Sequence, residues 1–280
     1  MKLRYILFSF ITILMTQSSL ASRNPLDPND PKNWELEVLD AFQEMTARRC
    51  FIEAKGKTLL GINETGLSAL PPQLDTFVTL TEVILQKNCF SAFPEVLTRL
   101  PALRSLDLSH NWIEEIPQSV SKMTALRTLD LQSNPLKTPP EAIGTLSQLE
   151  TLNISLNTEL QTLPRSTSNI VSLKSLKAFT CGLHAFPEGL EKMTSLTELD
   201  LKHNQIRTLT RKLLGLPRLG TLNLAGCPLV LIVDDVLKAL NLLGTDISQF
   251  PEITQEEKDN AAILVLLKAK RVKILFDSIK

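Results

Sequence analysis

Aromatic side chains are scarce in this 280-residue chain, 5% of the total, with one tyrosine and two tryptophans. Leucine supplies much of the apolar share instead, which points to a repetitive core built from one residue type. Cysteine is also rare, four in all, so a small disulfide-held framework is excluded. No sign of charge dominates: Lys+Arg and Asp+Glu are 30 each, and taking away Lys2 and Arg4 with the first 21 residues leaves 28 against 30. Without a long-range positive field, nucleic acid is not an expected partner. The sequence has no G-x-S-x-G, no H-E-x-x-H, no Walker loop and no glycine-rich dinucleotide turn. No enzyme activity, cofactor or metal is therefore expected.

Long apolar runs are missing too, apart from a largely apolar stretch at Tyr5–Met15. Lys2 and Arg4 precede it, and Ser19-Leu20-Ala21 follows with small side chains. That pattern reads as a secretory signal over residues 1–21, cleaved after Ala21. The stretch is shorter than the ~20 residues a spanning helix needs, so no stable membrane insertion is expected after cleavage. Secreted, periplasmic and cell-envelope destinations all remain open.

What the chain does have is a repeat. The frame L-x-x-L-x-L-x-x-N-x-L is clearest in LRSLDLSHNWI (103–113), LRTLDLQSNPL (126–136) and LTELDLKHNQI (196–206). The asparagine position is held by Thr65, Asn88, Asn111, Asn134, Asn157, Cys181, Asn204, Cys227 and Thr245, at steps of 23, 23, 23, 23, 24, 23, 23 and 18. An apolar residue and a proline follow in most copies, as in Phe93-Pro94 and Ile116-Pro117. Alternate residues of a strand face opposite sides, so the frame leucines line one face. One copy cannot bury its leucines alone; only a stack can.

In these residues the chain resembles the short, 23-residue leucine-rich repeats of bacterial proteins and Ras-suppressor-type scaffolds. The stretch 140–155 (PEAIGTLSQLETLNIS) matches that pattern closely. The resemblance implies an α/β solenoid, a horseshoe with a parallel concave sheet of about nine strands and helical caps at both ends. Residues 22–56 are expected to hold a loop and a capping helix over about 31–54, with Trp34, Val38, Phe42 and Met45 on one face. Repeats should fill 57–253. A helix at about 255–270 should cover the last of them, and Val272, Ile274 and Phe276 suggest a short strand or extended tail.

Three columns of residues are expected to point outward from the concave sheet. The residue after the second frame leucine gives a column containing Asp107, Asp130, Asn153, Lys177, Asp200 and Asn223; the ninth copy would add Asn241. Two positions on stand Ser109, Gln132, Ser155, Phe179 and Lys202, and next to them His110, Ser133, Leu156, Thr180 and His203. Most of these are small and polar. Phe179 and Leu156 are the large apolar exceptions, and exposed aromatics on a rigid sheet are common interface anchors. The alternative is that the 24-residue step turns one of them inward. Lys177, Lys202 and His203 border the pair. Asp107 and Asp130, stacked about 5 Å apart, read either as a shared cation site or a basic-partner contact, or as a solvated ladder. His110 and His203 stand four repeats apart, about 19 Å at the usual strand spacing, too far to share a metal. Of the cysteines, only Cys50 and Cys89 are placed so that they could pair.

The expected function is an exported module, a bacterial effector or surface interaction protein, that binds a protein partner, a host protein among the candidates, through the concave face. A structural envelope or adhesion component is the alternative, and an enzyme with a site in the terminal caps a remote one.

Overall fold

The computed structural model describes residues 58–137, 141–229 and 255–275. The expected signal peptide, the helix over 31–54, Cys50 and the frame copy at Thr245 lie outside the described residues. All described residues belong to one unit, Ala54–Lys280.

Eight three-residue strands recur at the centre of the frame: β1 (Leu59–Gly61), β2 (Glu82–Ile84), β3 (Ser105–Asp107), β4 (Thr128–Asp130), β5 (Thr151–Asn153), β6 (Ser175–Lys177), β7 (Glu198–Asp200) and β8 (Thr221–Asn223). They pair in sequence order and in parallel, Leu106 against Leu129 and Leu129 against Leu152. The middle residue of each of these strands is buried while its neighbours stay open, Asn153 of β5 excepted, the alternation a one-sided sheet demands. A second buried row follows two residues later, at Leu85, Leu108, Leu131, Ile154, Leu201 and Leu224. Each such leucine contributes on the order of 1.5–3 kcal/mol by leaving water. The repeated interior replaces the missing aromatics.

The chain returns through short 3-10 turns rather than α-helices. Pro117, at φ −72, holds the chain extended before the turn Gln118–Lys122, as Pro71 does at φ −66 before its own turn. Val120 and Met123 then point inward. The turns pack closely enough that a Cβ on Gly144 would fall 2.3 Å from the Ser166 carbonyl oxygen. Only glycine fits there.

The extra residue of the 24-residue step is absorbed after Asn157. Gln161 adopts a left-handed φ of 52° and its amide donates to the Cys181 carbonyl at 3.0 Å. Leu152 still pairs with Leu176. The insertion therefore leaves the sheet untouched, and neither Leu156 nor Phe179 is turned into the core; both are half-buried.

The C-terminal edge differs from the sequence expectation in one respect. The place beside β8 that the frame assigns to the strand of Asn241 is held by β9 (Lys273–Leu275), with Leu275 opposite Asn223. The reason is local. Helix α1 (Gln255–Ala269) packs on the preceding 3-10 turn, and buried Asn260 accepts a hydrogen bond from the Leu209 amide at 2.7 Å and donates to the Arg207 carbonyl at 3.4 Å. With the helix anchored, Arg271 turns the chain at φ 60° and delivers Lys273 to the Gly220 carbonyl. The cap thus covers the last repeat and also completes the nine-stranded sheet.

Candidate functional site

The asparagine column organises the sheet rim. In Asn134 the amide nitrogen donates to the carbonyls of Leu131 and, in the preceding repeat, Leu108, both at 3.0 Å. Its carbonyl oxygen accepts from the Ile113 amide at 3.0 Å. Asn88, Asn111, Asn157 and Asn204 make the same set. A buried side chain thereby satisfies backbone groups that have no ladder partner.

Those bonds have a consequence for the open face. Continuing the register, the Ser109 amide would pair with the Leu85 carbonyl, but Asn111 occupies that carbonyl. The freed amide is taken up by Asp107, whose Oδ1 accepts it at 2.8 Å. Asp130 does this for Gln132 at 2.9 Å, Asn153 for Ser155 at 3.2 Å, Asp200 for Lys202 at 3.1 Å and Asn223 for Ala225 at 3.2 Å. Lys177 has no acceptor to offer, so the Phe179 amide donates to Ser155 Oγ at 3.3 Å instead. The Asp/Asn column is thus a row of side-chain caps rather than a set of idle charges.

The middle of this row is a connected network. Asn153, only 8% exposed, donates to Asp130 Oδ2 and to Gln132 Oε1, both at 3.0 Å. Burial, with a smaller contribution from the charge of Asp107, pushes the Asp130 carboxyl above the usual aspartate range; the bonds from Gln132 and Asn153 oppose that shift. Among the described residues no three His, Cys, Asp or Glu side chains come together as a metal site. Each aspartate of this pair also has a backbone amide as partner.

The third expected column does not continue the strands. Glu64, Lys87, His110, Ser133, Leu156, Thr180 and His203 all have φ between 53° and 60°, the left-handed region, and turn the chain off the sheet. His110 and His203 are exposed at this corner and Leu156 is half-buried. The His203 ring lies over Gly226, where a Cβ would meet Nδ1 at 1.9 Å. Of the proposed site, then, Asp107, Asp130, Lys177, Phe179 and Lys202 share the sheet face, while Leu156, His110 and His203 form its rim.

Two features escaped the sequence reading. One is a further outward column, the first residue of each strand: Glu82, Ser105, Thr128, Thr151, Ser175 and Glu198. It is half-exposed throughout, and Ser175 donates to Glu198 at 2.8 Å. Counting outward positions on both sides of the central leucine would have found it. The other is Trp112, which follows Asn111 and is 66% exposed. Among the described residues Cys89 is an exposed free thiol and Cys181 a buried one.

A stacked parallel sheet ruled by buried asparagines defines a solenoid of leucine-rich repeats. The leucine-rich-repeat family model matches residues 78–136 and 183–229, and these segments are leucine-rich repeats. No curated protein matches it in sequence. Among solved structures it is similar to a leucine-rich-repeat protein of Leptospira interrogans, at 24% identity over 67% of this chain and 53% of that one, with a TM-score of 0.52. It spans about half the length of that protein. Internalin C2 of Listeria monocytogenes is similar at 19% identity over 71% and 78% of the two chains, TM-score 0.54. The Arabidopsis receptor kinase HAESA, solved with a peptide hormone and a co-receptor, is similar at 24% identity over 63% and 31%, TM-score 0.53. At these identities the likeness is one of fold: a horseshoe whose repeats commonly serve as interaction modules.

Proposed function

We propose that this protein is an exported, non-enzymatic binding module that holds a protein partner against its concave sheet. The observation that carries the reading is Phe179. It stands half-exposed on a face of small, hydrogen-bonded polar groups, two residues beyond Lys177 at the end of β6, with Lys202 at the matching place beyond β7. An apolar anchor with a polar rim is the layout of an energetic interface core. Nine strands about 4.8 Å apart give a strip of about 38 Å, which suits an extended or folded chain better than a small molecule. The similar fold of HAESA, solved with a peptide hormone, is consistent with this use.

Export rests on the segment 1–21, and Ser22 is the expected first residue of the mature chain; N-terminal sequencing of exported material checks it. A start at Met1 removes that part of the reading. The binding face is tested by placing a photo-crosslinking amino acid at position 179 and, as a control, at exposed Val171 on the return side. Partner adducts at 179 and none at 171 support the face. Equal adducts at both positions, or adducts at 171 alone, overturn it.

A further inference from the structure

The charges on the sheet face are distributed unevenly along the solenoid, and the fold does not require them to be. Asp107 and Asp130 are neighbours on β3 and β4. Their structural task, accepting the amide two residues on, is done equally by the uncharged Asn153 and Asn223. The backbone caps therefore need no carboxylate at either place; at Asp130 the second oxygen also accepts from Asn153 at 3.0 Å, and the charge is held against burial. Towards the other end, Lys177 and Lys202 border Phe179. Neither ammonium is in an ion pair among the described residues, whereas Lys87, Lys137, Arg127 and Lys174 are. Of the acids on the neighbouring strand, Asp200 accepts the Lys202 amide and Glu198 accepts from Ser175, while the charge of Lys177 also reaches Asp130.

We infer that the sheet face takes an extended peptide of mixed charge in one orientation, its cationic side chain over Asp107 and Asp130, an apolar side chain on Phe179 and a carboxylate beyond it between Lys177 and Lys202. The inference rests on the concave-face reading above and adds the partner's chemistry and direction. The spacing is consistent. From between β3 and β4 to β6 is two and a half strand steps, about 12 Å, which an extended chain covers in about four residues. Residues four apart on an extended chain point the same way, so cation and anchor both face the sheet. The acid follows two positions later.

The test uses the mature protein and two fluorescein-labelled probe peptides, Arg-Ser-Gly-Ser-Leu-Gly-Glu and its charge-exchanged form Glu-Ser-Gly-Ser-Leu-Gly-Arg, compared by fluorescence anisotropy. The first should bind at least about tenfold more tightly than the second. The Asp107→Asn/Asp130→Asn variant keeps both amide acceptors and should fold, which its unfolding midpoint verifies, and should lose that preference. Lys177→Gln/Lys202→Gln should lose it as well. Equal binding of the two probes, binding of neither, or a preference that survives the asparagine variant overturns the inference. Crosslinking confined to position 179 in any of those cases leaves the concave-face reading standing with a partner of different chemistry.

Discussion

The thiol of Cys181 donates to the Ile154 carbonyl at 3.1 Å, as the amide of Asn204 one repeat later does to the Ala178 carbonyl at 2.7 Å. A cysteine can thus replace the donor of the asparagine column, and Cys227 repeats the substitution on the Leu201 carbonyl at 3.2 Å. Burial pushes the Cys181 thiol up to about 11 from an ordinary 9.0. It should therefore resist alkylation in the folded protein near neutral pH, while exposed Cys89 reacts. Mass spectrometry after brief iodoacetamide treatment checks this; labelling of both at one rate would contradict it. Because the folded value is the raised one, stability is full below the unfolded value and is lost as pH climbs through the folded value. Between about pH 9 and 11 the protein should weaken, and Cys181→Asn should weaken less.

Asparagine itself is costlier to remove. Asn134→Ala strips an acceptor from the Ile113 amide and donors from two buried carbonyls. The expected loss is about 1–3 kcal/mol. Arg104→Ala, at the exposed position just before β3, should stay within about 0.5 kcal/mol. Urea unfolding of the two variants separates them, and equal losses would mean that the column is not what holds the repeats.

Much of this was legible in advance. The asparagine column set the strand register, and the pairing of Leu106 with Leu129 and of Leu152 with Leu176 follows the steps of 23 and 24. Two things were not. A frame written in leucines and asparagines says nothing of φ, so His110, Leu156 and His203 were read as strand residues although they occupy the left-handed corner. The ninth strand was misplaced because frame matching favours Leu240 and Leu242, whereas β9 is positioned by Asn260 through contacts more than fifty residues away in sequence. The roles of Asp107 and Asp130 as caps became visible only once the asparagine bonds showed which amides were displaced.

The left-handed corner gives a prediction of its own. Thr180 is β-branched yet has φ 54°, a conformation such side chains rarely hold. Asparagine tolerates it better. Thr180→Asn should raise stability by about 0.5–1 kcal/mol, read as a higher thermal midpoint. A lower midpoint would show that the threonine side chain contributes more than its backbone conformation costs.

The C-terminal cap can be tested through the buried polar anchor Asn260. Asn260→Ala leaves the Leu209 amide without its partner and should cost about 1–3 kcal/mol. Hydrogen exchange should also rise at β8 and β9, since the helix delivers the last strand to the Gly220 and Asn223 neighbourhood. Exchange changes confined to the helix would mean that β9 holds its place independently.

Asp130 makes the stability of the fold depend on pH. Its carboxyl is raised above the ordinary aspartate value of 3.8, by burial first and by Asp107 among the lesser causes. A raised folded value means that stability is full below the unfolded value and falls as pH rises through the folded one. Charged Asp130 therefore weakens the fold near neutral pH. Asp130→Asn keeps the acceptor for the Gln132 amide and removes the buried charge. The variant should match the parent near about pH 3 and exceed it near about pH 7, which thermal unfolding at the two pH values measures. A variant equally or less stable at neutral pH would show that the carboxylate serves the fold, through its bond from Asn153. If it proves more stable, the carboxylate is retained at a structural cost, and a cationic group of the partner is the compensation that the inferred peptide supplies.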